Sequence, residues 1–412
     1  MRPSLRTLVT CFARIGLMSF GGPVAQIGVM HRELVDRRGW MTEAEFLKGL
    51  SFSMLLPGPE AMQLSTYAGW RLRGVAGGLV AGLLFILPGA LVMALLAWAY
   101  GRWGALPALA PAFLGIKALV IVVLVQALWR LGSRALRRPL HLLLALSALV
   151  AIAVAGLPFP LVVAVAALAG LARGRAPGGA PLSAGTLPGL RAPLAAGLGF
   201  LALWLAPLAV LWAAGATRLL DVGLFFSRLA VVSFGGAYAA LAYTAQAAVE
   251  AEGWLTAAQM VDGLGLAETT PGPLILVTQF VGYLAGLGAG GPALGFAAAA
   301  LTLWAVFLPS FLLVFTLAPF LERLTALPRV TAAMEGVSAA VVGVIAALGL
   351  YFASHVLFTR VTPAGLPDPA SLSPTALGLV AVAALLLGRL RLPLPAALAT
   401  MALAGTLSGL IV

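Results

Sequence analysis

The chain contains the sequence FARIGLMSFGG at residues 12–22 and a second version, FSRLAVVSFGG, at residues 226–236. The two stretches align without a gap, and the same register continues downstream. It superimposes G-W at 39–40 on G-W at 253–254, and P-G-P at 57–59 on P-G-P at 271–273. Chance identity in an Ala/Leu-rich chain would not place Arg, Trp and P-G-P in register. The sequence therefore contains an internal repeat and consists of two homologous halves.

Composition places most of this chain in lipid. Of its residues 62% are hydrophobic and only 9% are charged, and the mean hydropathy is +1.06. A soluble domain carries about 25% charged residues. Apolar runs recur from end to end, and about 20 residues of helix cross a bilayer. The sequence predicts an all-α polytopic membrane protein with about 10 to 13 transmembrane or re-entrant helices.

The apolar runs form two series. The predicted boundaries are 1–172 for the first membrane repeat, 173–193 for a Gly/Pro-rich linker and 194–412 for the second repeat. The linker composition is typical of a loop. The predicted segments are 5–30, 43–69, 75–100, 108–130, 139–156, 158–172, 194–214, 221–247, 257–284, 292–320, 328–352, 373–388 and 393–411.

The net charge of +12 comes from arginines clustered between apolar runs. This pattern follows the positive-inside rule and argues against a nucleic-acid partner. HRELVDRRGW at 31–40 is basic, whereas its counterpart VEAEGW at 249–254 is acidic. Opposite charges at equivalent positions indicate inverted repeats. Residues 31–38 and 130–138 then lie on one side of the membrane if 43–69 is a re-entrant hairpin folded at 57–59.

Several classes of site are not indicated. Cys11 is the only cysteine, and the three histidines have no C-x-x-C or H-E-x-x-H spacing, so we predict no disulfide, metal or redox cofactor. No catalytic triad or phosphate-binding loop is recognisable, so we predict that the protein is not an enzyme. The first apolar stretch exceeds signal-peptide length and carries Arg14, so it is expected to be retained.

Each half has two helix breaks within apolar segments. They are S-F-G-G at 19–22 and 233–236, and P-G-P at 57–59 and 271–273. Unwound backbone at membrane depth is tolerated where it is buried in protein or lines a cavity. Four breaks therefore predict one central site, where half-helix N-termini would suit an anion. The alternative is that the glycines only allow close helix packing.

Two arginines occupy equivalent positions inside apolar helices. Arg14 and Arg228 precede the S-F-G-G breaks and would clamp an oxyanion with paired N–H donors, or else would reach the lipid head groups. The hydroxyls predicted to add donors are those of Ser19, Ser233, Thr269 and Thr270.

Polar residues near the P-G-P breaks are candidates for coupling or gating. Glu60 follows the first break, with Gln63 nearby, and Glu268 precedes the second. A carboxylate there would carry a coupling proton or cap backbone N–H groups. Lys117 and Glu335 lie in equivalent helices and are candidates for an ion pair between the halves.

Longer motifs resemble the chromate ion transporter family. They are FGGPVAQ, HRELV, RRGW, LLPGPEAMQL and GWRLRGV in the first half, and SFGGAY, AAVE, GWLT, QMVDGL and TPGPLI in the second. The site residues implied by the matching motifs are Arg14, Ser19, Gly21, Gly22, Pro57, Gly58, Pro59, Glu60, Arg228, Ser233, Gly235, Gly236, Pro271 and Gly272.

The resemblance implies two antiparallel halves that export chromate from the bacterial cytoplasm and so confer chromate resistance. The implied location is the cytoplasmic (inner) membrane, and the implied partners are the lipid bilayer and an inorganic oxyanion. Sulfate, which is also a tetrahedral dianion, or another inorganic anion remains an alternative substrate for such a secondary transporter. An anion channel and a homodimer also remain open.

Overall fold

The computed structural model describes residues 3–173, 189–234, 236–321, 327–362 and 366–411. Residues 174–188 of the predicted linker lie outside this part of the chain. The helices of the first half are α1 Leu5–Met18, α2 Gly22–His31, α3 Glu43–Leu55, α4 Glu60–Trp103, α5 Ala110–Ala135, α6 Pro139–Ala153 and α7 Phe159–Arg173. Those of the second half are α8 Arg191–Ala213, α9 Thr217–Val232, α10 Ala237–Thr244, α11 Ala257–Thr269, α12 Val277–Gly290, α13 Pro292–Leu317, α14 Pro328–Leu357, α15 Pro374–Ala384 and α16 Leu394–Ile411. The all-α prediction is confirmed.

The S-F-G-G breaks are the tips of two helical hairpins. Gly21 has a φ of 85°, and the chain turns back there so that α1 and α2 lie side by side. Arg14 Nε on α1 is 3.7 Å from Glu33 Oε1 just beyond α2. In the second half the ring of Phe225 on α9 stacks on Tyr243 of α10, with ring centroids 5.5 Å apart. Each S-F-G-G therefore reverses the chain instead of kinking a spanning helix.

The P-G-P breaks are the tips of two more hairpins. Prolines remove backbone donors and end α3, and α4 begins in the opposite direction. The Tyr67 ring packs directly on Gly49, where a side chain would overlap it. Phe280 packs on Gly263 in the same way between α11 and α12. The 13 residues of α3 extend about 20 Å, less than the hydrocarbon core of about 30 Å, so this hairpin is re-entrant.

The 44-residue helix α4 is interrupted by a turn at Arg73 and Gly74, where the φ of Gly74 is 64°. Ser65 Oγ before the turn donates to the carbonyl of Ala81 after it at 3.1 Å. Residues 60–72 thus belong to the P-G-P hairpin, and residues 75–103 form the long apolar helix. Gly291, with a φ of 84°, makes the equivalent turn between α12 and α13.

The two halves are inverted repeats. Residues 75–103 of α4 and helix α13 are equivalent in the repeat, since Leu-Pro at 87–88 aligns with Leu-Pro at 308–309. These helices pack on each other antiparallel, because Phe315 covers Gly78 and Phe311 covers Gly82. Equivalent helices that run in opposite directions require opposite orientations of the two halves.

The charges divide between two ends of the molecule. The ends of the first-half hairpins that lie away from their tips are near Arg38 and Arg73. Helix α5 runs toward the same end of the molecule, which we call the basic face. Helix α16 runs antiparallel to α5, because Gly115 packs against the carbonyl of Met401 and Gly405 against that of Pro111. The start of α16 therefore points toward the basic face and is level with the middle of α5, beside the cavity-lining part of that helix. The second-half hairpins open at the other end, the opposite face, where the sequence carries two glutamates, Glu250 and Glu252.

The predicted segments do not all cross the membrane once. Segments 5–30, 221–247 and 257–284 are each pairs of antiparallel helices folded at a break, as is the predicted hairpin at 43–69. Among the described residues, the ranges long and apolar enough to cross a membrane are Glu60–Trp103, Pro107–Ala135, Arg191–Ala213, Pro292–Phe320 and Pro328–Leu357. Four of these belong to the framework that holds the hairpin tips, and α8 covers its outer side.

Candidate functional site

The four hairpin tips meet in pairs across the two halves. The N–H of Gly58 donates to the carbonyl of Ser233 at 3.0 Å, and the N–H of Gly272 donates to the carbonyl of Ser19 at 2.8 Å. Each P-G-P tip is thus joined to the S-F-G-G tip of the other half. Gln26 Nε2 adds a bond of 2.7 Å to the carbonyl of Gly272. These contacts satisfy backbone groups that the helix breaks leave free.

Glycine is required at the P-G-P tips. Gly58 has a φ of 111° and Gly272 a φ of 89°, a left-handed region that strains other residues. The second tip also requires a glycine in the helix that it packs on. The carbonyl of Pro271 lies where a side chain on Gly89 of α4 would have to be. The sequence pattern P-G-P therefore encodes the shape of the tip.

A cavity of about 280 Å³ lies between the tips and the basic face. At roughly 30 Å³ per water molecule, it has room for several waters or a small inorganic ion. Its polar and glycine lining consists of Gly21, Gly22, Glu60, Gln126, Arg130, Arg134, Gly236, Tyr238, Glu268 and Arg391. Both S-F-G-G breaks and both candidate coupling carboxylates therefore border one space.

Two helix N-termini border this cavity, one from each half. Helix α2 starts at Gly22 and α10 starts at Ala237, and both residues line the cavity. The first N–H groups of a helix have no partner within that helix, and the helix dipole is positive at this end. Paired N-termini from opposed half-helices form a favourable environment for an anion.

The two carboxylates differ in burial and surroundings. Glu268 on α11 is 4% exposed, and its Oε1 has no hydrogen-bond partner. Glu60 is the first residue of α4, is partly buried, and lies next to Gly236 at the start of α10. An acidic residue at this position also stabilises its own helix N-terminus.

Arginines complete the wall toward the basic face. Helix α5 continues to Ala135, so Arg130 and Arg134 lie on its last turns and face the cavity one turn apart. Arg130 Nη2 donates to Gln126 Oε1 at 3.0 Å, and Arg391 approaches from the segment before α16. Sequence reasoning assigned residues 130–138 to a cytoplasmic loop and missed these side chains. The four-residue spacing of Gln126, Arg130 and Arg134 was the available signal.

Arg14 and Arg228 lie elsewhere. Arg14 Nε is 3.7 Å from the buried carboxylate of Glu33, which also forms an ion pair with Arg37. The Arg14 side chain is 48% exposed. Arg228 is exposed on α9. Neither belongs to the described lining of the cavity. An arginine clamp in the cavity would consist of Arg130 and Arg134 rather than of the repeat-related pair.

The predicted hydroxyl donors are engaged by their own helices. Their acceptors are the carbonyl of Ile15 for Ser19, of Ala230 for Ser233, of Leu266 for Thr269 and of Ala267 for Thr270, at 2.6 to 3.3 Å. Each hydroxyl has one hydrogen to donate, so these groups are not available as donors to a ligand.

The remaining predicted residues build the tips. Gln63 Nε2 donates to the carbonyl of Pro57 at 2.6 Å and to Ser310 Oγ at 3.3 Å, which ties the first tip to α13. Pro57, Gly58, Pro59, Pro271 and Gly272 lie at the tips, outside the cavity lining. Gly235 lies outside the described residues.

Comparison with known proteins assigns the family. The family described as Chromate transporter matches residues 6–171 and 220–407, one region in each half. The chain belongs to the chromate transporter family. Members of this family act on an anionic substrate in a membrane, which agrees with a multi-pass helical fold and a cavity bordered by arginines.

Named relatives cover most of the chain. It is 38% identical over 354 residues to "Chromate transport protein" of Pseudomonas aeruginosa, spanning 82% of this chain and 78% of that protein. It is 34% identical over 351 residues to "Chromate transport protein" of Cupriavidus metallidurans, spanning 83% and 81%. A "Probable chromate transport protein" of Synechococcus elongatus is 31% identical over 346 residues, spanning 83% of each chain. No solved structure matches.

Proposed function

We propose that this protein is a secondary active transporter that exports chromate from the cytoplasm across the cytoplasmic membrane and so gives chromate resistance. The observation that carries the proposal is the cavity in which a helix N-terminus from each half and three arginines, Arg130, Arg134 and Arg391, border one space. Free N–H groups and guanidinium groups are the donors that bind tetrahedral oxyanions in proteins.

The direction rests on orientation and on the membrane potential. Under the positive-inside rule the basic face is cytoplasmic, so the cavity would take its anion from the cytoplasm. A dianion that leaves an inside-negative cell gains roughly 4 to 5 kcal/mol at 100 mV, because each charge contributes about 2.3 kcal/mol, and about 2.3 kcal/mol of this remains if one proton leaves with the anion. Export therefore needs no nucleotide hydrolysis.

The carboxylates are proposed to couple proton and anion binding. When Glu60 and Glu268 are ionised, they offset part of the positive charge of the three arginines. A dianion near them raises the cost of their negative charges, so anion binding would favour their protonation. We assign Glu268 the larger part because it is the more buried of the two. Gln63 would act indirectly, by supporting the tip that carries Glu60.

The test is chromate accumulation in everted membrane vesicles prepared from cells that overexpress the protein. An inside-positive potential is imposed, and sulfate is added in excess as competitor. Saturable, potential-driven uptake that sulfate blocks weakly is the expected result. Uptake of sulfate in place of chromate would keep an anion transporter and remove the chromate assignment. Flux that neither saturates nor shows counterflow would indicate a channel.

The same vesicles test the binding residues. Arg130→Gln and Arg134→Gln are expected to reduce chromate uptake at least tenfold, because a hydrogen bond to a charged group contributes about 1.5 to 3 kcal/mol. Arg228→Gln is the matched control, since this arginine is exposed outside the cavity lining. Equal activity of all three variants would contradict the assigned site.

A further inference from the structure

A second cluster of polar side chains is buried between the two halves. Asp262 on α11 lies with its Oδ1 3.2 Å from Lys117 Nζ on α5, and its Oδ2 accepts a hydrogen bond of 2.8 Å from the Tyr100 hydroxyl on α4. The side chain of Asp262 is 7% exposed and that of Lys117 is 18% exposed. The sequence-based pairing of Lys117 with Glu335 is wrong, because Glu335 lies against His141 at 3.9 Å.

This cluster lies on the far side of the cavity. Helix α5 starts near the opposite face, and Lys117 lies in its second turn, whereas the residues of α5 that line the cavity start at Val123. Tyr100 lies in the last turn of α4, at the opposite face. Asp262 precedes Glu268, which lines the cavity, by between one and two turns of α11. The cluster therefore lies between the cavity and the opposite face.

Aromatic rings close the space around the cluster. Tyr100 makes edge contacts with Phe113 at 5.4 Å and with Phe280 at 5.1 Å between ring centroids. Phe280 also covers Gly263, the neighbour of Asp262. These contacts join α4 and α5 of the first half to α11 and α12 of the second.

The repeat does not account for the cluster. In the alignment of the halves, Gly263 corresponds to Gly49, so Asp262 corresponds to Lys48. The charge at this position is thus opposite in the two halves. A buried ion pair contributes little net stability, because desolvation offsets much of the attraction, and ionisable residues at membrane depth are usually functional.

We propose that Asp262, Lys117 and Tyr100 form an outer gate, which holds the opposite face closed while the cavity is open to the basic face. This inference rests on the proposed transport function. Helix α11 carries the gate residue Asp262 and the cavity residue Glu268 on one rigid element, so movement of α11 away from α4 and α5 would open the far side of the cavity. Opening requires the Asp262 contacts to both first-half helices to break.

The experiment measures access to the cavity and needs no substrate. Cys11→Ser removes the only cysteine, and Val123→Cys places a thiol at the deep end of the cavity lining. A membrane-impermeant maleimide is applied to the opposite face in intact cells and to the basic face in everted vesicles. With the gate intact, labelling is expected from the basic face and to be slow from the opposite face.

Removing the ion pair is expected to open the gate. In the background that carries Cys11→Ser and Val123→Cys, Asp262→Asn combined with Lys117→Met should raise the rate of labelling from the opposite face at least fivefold. Tyr100→Phe removes only one hydroxyl and should raise the rate of labelling from the opposite face about twofold. It is the variant to use if the double variant does not insert into the membrane.

Arg71→Gln is the matched control, because it breaks the Arg71–Glu45 pair of 3.1 Å at the basic face. This variant removes an ion pair of similar length that lies away from the gate. Its labelling from the opposite face is expected to stay as slow as in the parent background.

Two results would overturn the gate. One is unchanged labelling from the opposite face in the double variant while labelling from the basic face persists. The other, if the double variant does not insert, is unchanged labelling in Tyr100→Phe. Vesicles that move no chromate but show gate-dependent labelling would remove the proposed substrate and keep the gate. Everted vesicles that accumulate chromate without gate-dependent labelling would keep the proposed substrate and remove the gate.

Discussion

The first P-G-P hairpin and the second have the same backbone design and present different side chains. Both reverse the chain at a glycine with a positive φ and donate one N–H to the S-F-G-G tip of the other half. The first is followed by Glu60 at a helix start, and the second is preceded by the buried Glu268. Repetition therefore supplies the framework, and the departures from it supply the charges of the cavity.

The largest expected effect concerns a contact in which the two tips differ. Pro271 of the second tip packs its carbonyl on Gly89, whereas the repeat equivalent of Gly89 is Ser310, which contacts Gln63 near the first tip. Gly89→Ser should prevent folding or cost several kcal/mol, since the added atoms meet fixed backbone. Ser310→Gly should cost about 1 kcal/mol.

Thermal unfolding of the detergent-solubilised variants measures this difference. Gly288→Ala is the control, because that glycine of α12 has open space around it. If Gly89→Ser melts like Ser310→Gly, the two tips are packed with equal freedom and the asymmetry between them does not hold.

The next effect distinguishes the two carboxylates. Glutamine imitates a protonated glutamate, so Glu268→Gln should bind chromate at least as tightly as the parent protein at high pH while abolishing proton-coupled uptake. Affinity of the parent should fall as pH rises, because ionised carboxylates repel the anion. Glu60→Gln should weaken the pH dependence less, since Glu60 is less buried.

Chromate uptake and binding across a range of pH provide the measurement. The matched variant is Glu335→Gln, which lies against His141 outside this cavity. An unaltered pH profile in Glu268→Gln would show that this carboxylate has no part in coupling.

The smallest effects are expected at the S-F-G-G serines. Ser19 Oγ and Ser233 Oγ donate to carbonyls of their own helices, at 2.6 and 3.3 Å. Ser19→Ala and Ser233→Ala should each cost about 1 kcal/mol or less of stability and leave the uptake rate within about twofold. A tenfold loss of uptake in a folded Ser19→Ala protein would mean that the hydroxyl reaches the anion.

Much of the fold was predictable because backbone constraints are local. Paired glycines and P-G-P end helices wherever they occur, so the four breaks could be located from residues 19–22 and 57–59 and their repeats. The opposite charges at 31–40 and 249–254 predicted the inverted arrangement, which the antiparallel packing of α4 and α13 confirms. The hairpin form of 5–30 was not evident, because an apolar run has the same composition whether it spans or turns back.

The candidate site was only partly predictable. Gly21, Gly22, Glu60 and Glu268 line the cavity, as the break hypothesis led us to expect. Arg14 was a candidate because it lies inside an apolar run, but the hairpin of α1 and α2 directs it to Glu33. Arg130 was not a candidate, because it lies in a basic cluster at the end of its segment. The position of a residue within an apolar run does not indicate which way its side chain points.

By itself, the sequence determined the membrane class, the repeat and the positions of the four breaks, since these depend on hydropathy and local backbone sterics. Only the tertiary structure decided which breaks meet, that Arg130, Arg134 and Arg391 border the anion cavity, and that Asp262 pairs with Lys117. These contacts join residues far apart in the chain. They depend on how helices of opposite orientation pack on each other, and a local sequence pattern does not specify this packing.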